Sequence, residues 1–188
     1  MKTQKMKLWV GLAVIALVAV AKPAHAVNPA SIDITVSINA TKSLAVGATF
    51  YNFGPQSVSV STVSTSAIVV QNDSGGLIET YTLQGANAPS SSGGTTWTLA
   101  SSTGTDQYAL AAQFSTAQPN NGDSFWASDD LTTSAIVATA SVLGNGTAGE
   151  SALNVVPLAN RNLWFRMKTP GVVSDVTQRK ATLTLAVQ

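Results

Sequence analysis

From residue 32 the chain alternates. Ile32, Ile34, Val36, Ile38, Ala40, Leu44 and Val46 fall on one parity, and Asp33, Thr35, Ser37, Asn39, Thr41 and Ser43 on the other. A period of two sends the first set to one face of an extended strand and the second to the opposite face, which a helix cannot do. Lys42 interrupts the apolar set. An unbroken strand over 31–46 would run about 50 Å at ~3.3 Å per residue, long for a globular domain, so a bend or a change of sheet is predicted near Lys42.

Shorter runs of the same kind follow. Residues 57–61 and 67–71 are β-type, and Asn72-Asp73-Ser74-Gly75-Gly76 is a turn cluster that predicts a hairpin into 77–84. Residues 95–100, 107–114, 135–143, 162–168 and 177–187 complete eight to ten expected strands. Within them, Tyr108, Leu110, Ala112 and Phe114 share one face, and Leu163, Phe165 and Met167 oppose Trp164, Arg166 and Lys168. Beyond residue 26 there are 21 Ser and 21 Thr against only 15 charged residues. That balance suits pleated, half-buried surfaces and leaves too few charges to solvate helices. The expected fold is all-β, a single two-sheet antiparallel β-sandwich over 27–188.

Ahead of it stands a leader. Residues 1–7 are basic, 8–21 are an apolar run broken only by Gly11, and Ala24-His25-Ala26 places small residues before Val27. This predicts a cleaved secretory signal peptide at 1–26. The apolar run falls short of the roughly 20 residues that cross a bilayer as a helix, so a secreted product without a membrane span is expected, extracellular or at the cell surface. Cleavage removes His25, the sole histidine, and four lysines, leaving six basic groups against nine acidic ones. With no imidazole and no cysteine, a non-enzymatic role without a cofactor is expected. A net charge of −3 disfavours nucleic acid as a partner, since binding it requires a cationic surface.

Three segments carry a resemblance: the alternation at 32–38, the run Ala67-Ile68-Val69-Val70-Gln71-Asn72 closing on a glycine turn, and the terminal strand at 181–187. Together they resemble the immunoglobulin-like β-sandwiches of bacterial surface and appendage proteins, pilin-like subunits among them. The resemblance spans most of 27–188 and implies a filament subunit whose N-terminal strand enters the next subunit. Chaperone–usher pilins differ in having a cysteine pair and an aromatic near the terminus, where this chain ends Val187-Gln188.

The residues themselves point to the same role. An apolar ribbon of Ile32, Ile34, Val36 and Ile38 that leaves its own sandwich can pair with another copy, and a head-to-tail contact of that kind builds a filament, sheath or matrix. A second expectation is a monomeric module for polysaccharide, with Trp97, Trp126 or Trp164 as stacking platforms for a neutral glycan. Trp164, Arg166 and Lys168 set an aromatic beside two cations, suited to a sugar ring, an anion or a neighbouring subunit, and equally to a protected outer strand.

Other motifs have plainer expectations. Asp123, Asp129 and Asp130 are candidate Ca²⁺ ligands, though solvated turn carboxylates are the expected outcome. Gly144-Asn145-Gly146-Thr147-Ala148-Gly149 fits G-x-G-x-x-G, but Val155-Val156-Pro157 would stop the helix that a phosphate-binding turn needs, so a loop is expected. Lys42 is a candidate for a crosslink to an Asn or Asp, assisted by Glu79 or Glu150, against the simpler outcome of an amine reaching solvent at a bend.

Overall fold

The computed structural model describes residues 35–121, 125, 127–147 and 149–188. The leader expected at 1–26, together with Ile32, Ile34, Asp123 and Trp126, lies outside the described residues. The chain divides into two units, Met1–Ile38 and Asn39–Gln188. Of the first, 35–38 are described. They belong to no strand, and Val36 and Ile38 are 85% and 87% exposed.

The second unit is all-β, with two sheets and no α-helix among the described residues. Its strands are β1 (Leu44–Val46), β2 (Ser61–Val63), β3 (Ile68–Asn72), β4 (Tyr81–Gly85), β5 (Thr98–Leu99), β6 (Gln107–Phe114), β7 (Ile136–Val137), β8 (Asn160–Lys168) and β9 (Leu183–Val187), with a 3₁₀ turn at Ala127–Asp129. The larger sheet runs β1-β3-β8-β6-β5, with β2 also on β8, and the smaller runs β7-β4-β9.

Alternation explains the core. Tyr108, Leu110, Ala112 and Phe114 of β6 and Leu163 and Phe165 of β8 point inward with Val70 of β3, and meet Tyr81 and Leu83 from β4 of the other sheet. Leu131, Leu143 and Val155 from the connections close the same cluster. Each large apolar chain so buried is stabilising by about 1.5–3 kcal/mol. Burial also pushes the Tyr81 and Tyr108 phenols up to about 12, with the Glu79 carboxylate adding to the shift at Tyr81.

Two short strands share one edge of the longest strand. Val63 faces Arg166 and Ile68 faces Leu163, so residues 64–67 stand against Trp164 and Phe165 alone. The buried Ser64 closes that bulge: its N–H donates to Phe165 O at 2.8 Å, and its hydroxyl oxygen accepts the Phe165 N–H at 3.0 Å. The Oγ supplies the acceptor that a ladder carbonyl would otherwise provide.

Four expectations are corrected. The run 31–46 forms a strand only at Leu44–Val46 among the described residues, because β3 offers a partner there; the pairing ends at Ser43, whose carbonyl accepts the Asp73 N–H at 2.9 Å. Residues 72–76 do not make a hairpin; they carry the chain from β3 in one sheet to β4 in the other. The buried Asn72 directs this crossing, its Nδ2 donating to Leu77 O and Val155 O, each at 2.8 Å, and its Oδ1 accepting the Ser74 N–H at 2.9 Å. The pairing is not wholly antiparallel, since β5 runs parallel to β6 over two residues. Residues 135–143 pair as a strand only at Ile136–Val137, after which the 138–143 backbone turns inward and Leu143 O accepts the Phe114 N–H.

Candidate functional site

The smaller sheet has an open margin. Gln188 N–H donates to Thr80 O at 2.8 Å, and Tyr81 faces Val187, so the alternating hydrogen-bonded pairs fall at Thr82 with Ala186 and Gln84 with Thr184. The backbone N–H and C=O groups of Leu183, Leu185 and Val187 therefore point away from β4, and no backbone partner meets them among the described residues. The side chains of these three residues are half-buried against the core. An unpaired edge lined by apolar side chains is a template for another strand. By contrast, the margin at β5 is covered, Ala88 and Trp97 bridging to one another beside it and Asn87 Oδ1 accepting the Leu99 N–H at 3.0 Å.

The outer face of β8 differs from its expected exposure. Arg166 is 5% exposed, its guanidinium 5.0 Å from the centre of the Phe125 ring and 3.4 Å from Asp130 Oδ1. The connection after β6 folds back over both strands, so Ala109, Ala111 and Gln113 are buried as well as the core-facing residues of β6. A cation over an aromatic and beside a carboxylate is thus an internal pair, not a recognition surface. Trp164 is half-buried and donates Nε1–H to Ser115 O at 2.9 Å, and Lys168 is half-buried. Trp97 packs 6.3 Å from Tyr108 and lies under the Arg179 guanidinium at 5.2 Å, so its ring is not an open platform.

Asp129 is buried, its Oδ2 accepting the Gln113 Nε2–H at 2.9 Å. Burial raises the Asp130 carboxyl, opposed by Arg166 and then Lys168. These two acids are therefore structural partners of β6 and β8 rather than solvated turn carboxylates, and among the described residues no three metal-ligating side chains cluster. Lys42 is exposed, and Glu79 Oε1 accepts the N–H of Ser43 at 2.7 Å, which ties the start of β1 to the interior.

The glycine motif at 144–149 lies in the connection from β7 to β8 and leads into turns rather than a helix. Gly144 bridges Phe114, and a Cβ there would sit 2.7 Å from Ala140 O and 2.8 Å from Thr139 O, so close backbone approach accounts for this glycine.

Next to that loop is a polar cleft of about 220 Å³ lined by Ser115, Thr116, Gly149, Glu150, Asn160, Arg161 and Asn162. Glu150 Oε2 accepts the Thr116 N–H at 3.0 Å and the Asn145 Nδ2–H at 2.7 Å. The Thr116 and Asn145 donors hold the carboxyl below its usual range. Arg161 donates from Nε to Ser151 O and from Nη1 to Asn160 O, each at 2.8 Å. The sequence singles out neither Glu150 nor Arg161 as a binding residue, and Asn160 and Arg161 fall outside the strand expected at 162–168.

No protein-family model matches the chain, and no curated protein and no solved structure is found similar to it.

Proposed function

We propose that the chain is a secreted, non-enzymatic structural subunit that self-assembles into an extracellular filament, sheath or matrix. Its domain is an immunoglobulin-like β-sandwich over 27–188 that follows a cleaved leader at 1–26. Ile32, Ile34, Val36 and Ile38 of one copy add as a strand along β9 of the next. What supports this reading is that Val36 and Ile38 are exposed and outside every strand, while among the described residues no backbone partner meets the main-chain groups of Leu183, Leu185 and Val187. Main-chain hydrogen bonds give such a contact its affinity, and the alternate isoleucines give it register. One patch meeting a different patch is a head-to-tail contact, which propagates unless its rotation closes a ring.

Negative-stain electron microscopy of the purified protein tests it. Filaments or sheets are expected from the chain carrying 27–40 and only single particles from the chain lacking them. Identical assemblies in both samples overturn the reading.

A further inference from the structure

The cleft beside the 144–149 loop holds an acid and a base that do not neutralise one another. Glu150 and Arg161 both line it, yet the ion pairs among the described residues are Arg166 with Asp130 and Arg179 with Asp175. Each is instead held by other groups. Glu150 is held through Oε2 by Thr116 and Asn145, and Arg161 through Nε and Nη1 by two backbone carbonyls, with no partner at Nη2 among the described residues. The result is an acceptor and a donor fixed in place before any ligand arrives, the arrangement that lowers the ordering cost of binding.

The strand beneath extends the pattern. Asn160, Asn162 and Trp164 alternate along β8 and so share its outer face, the first two in the cleft and the third held over Ser115 by its indole N–H. Two amides with both donors and acceptors thus lead in a row to a half-buried indole. A free anion would meet the Glu150 carboxylate, and a free cation would meet Arg161 with one carboxylate to oppose it. A neutral molecule carrying many hydroxyls satisfies both, because each hydroxyl donates and accepts. The volume of 220 Å³ is below the about 300 Å³ at which pockets begin to enclose drug-sized ligands, and so suits a single ring.

We infer that this cleft is a binding site for one ring of a neutral saccharide, with Glu150 and Arg161 fixing its hydroxyls and Trp164 bordering the neighbouring ring of a longer glycan. The site is independent of strand addition at β9. On a self-assembling subunit it would repeat along the polymer, and weak single-ring contacts would sum to avidity.

Saturation-transfer difference NMR on the full purified protein tests this, since it observes the small molecule and tolerates a polymer. Glucose, N-acetylglucosamine and their linear tetrasaccharides are titrated, with glycine and inorganic phosphate alongside. Saturation of sugar ring protons is expected, with tighter binding of a tetrasaccharide than of its monomer. Glu150→Gln and Arg161→Gln are each expected to weaken it about tenfold, the scale of one charge-assisted hydrogen bond. Circular dichroism and thermal unfolding are measured in parallel; a native spectrum retained at the assay temperature, with only a modest fall in Tm from the internal hydrogen bonds of Glu150 and Arg161, separates loss of contact from loss of fold. No transfer to any sugar, transfer unchanged in both variants, or displacement of the sugars by glycine or phosphate each overturns the proposal.

Discussion

Replacing Val36 and Ile38 together by Asp separates the fold from the assembly. In the isolated chain these side chains are 85% and 87% exposed, so the replacement removes almost no buried surface. Surface changes of this kind stay within about ±0.5 kcal/mol. For two such changes in a chain of this size that is a shift in Tm of at most about 4 °C. In a strand-added assembly the same two side chains are covered, which forfeits about 1.5–3 kcal/mol for each and adds the cost of desolvating two carboxylates. A loss of about 3–6 kcal/mol per contact weakens association by roughly two to four orders of magnitude. Differential scanning fluorimetry measures the first quantity, and sedimentation velocity with electron microscopy measures the second. The expected outcome is an unchanged Tm with assemblies abolished. A fall of more than about 5 °C would place both residues in their own core, and unaltered assemblies would remove them from the contact; either result refutes the reasoning.

Two further outcomes are expected. Asn72→Ala leaves the Ser74 N–H at the crossing between sheets without its acceptor, while Leu77 O keeps the Ser74 hydroxyl and Val155 O keeps the Glu79 N–H; one stranded donor and two lost hydrogen bonds amount to about 2–4 kcal/mol. Urea titration checks it, and a loss below about 1 kcal/mol would show that the crossing does not depend on the amide. The Asp175 carboxyl is held well below its usual range, first by Thr177 and then by Arg179, and Glu150 is lowered by Thr116 and then Asn145. Both are lowered on folding, so their contribution is complete above the unfolded-chain values near ~4 and is lost as pH falls through the folded ones. Thermal unfolding from pH 6 down to about pH 2 should therefore show a steep acid decline that Asp175→Asn makes shallower; an unchanged slope would contradict the assignment.

Where one face of a strand meets the core, its period showed in the residues. The alternation in 107–114 matches β6 residue for residue, and the inward set Leu163, Phe165 and Met167 matches β8. What alternation cannot report is a cover arriving from far along the chain. Arg166 reads as an exposed cation because nothing near it in sequence reveals that Phe125 and Asp130 return over it. Asn72 misled for a related reason: an Asn-Asp-Ser-Gly-Gly cluster bends the chain equally well within a sheet or between sheets, and only the remote carbonyl of Val155 decides which. The cleft was legible only in part. Asn162 and Trp164 lie in the strand expected at 162–168, whereas Asn160 and Arg161 precede it, and Glu150 and Thr116 reach the cleft from separate connections with no shared spacing.

The hydroxyl of Ser64 has a kinetic corollary. Because it terminates one ladder and lets another begin, β2 and β3 hold their alignments on β8 independently, differing by the two residues absorbed between them. A misthreaded β2 therefore stops at the interruption instead of turning the side chains of β3 inside out, and each half can correct its own slip without unzipping the other. For a strand nine residues long, that divides one large alignment search into two small ones.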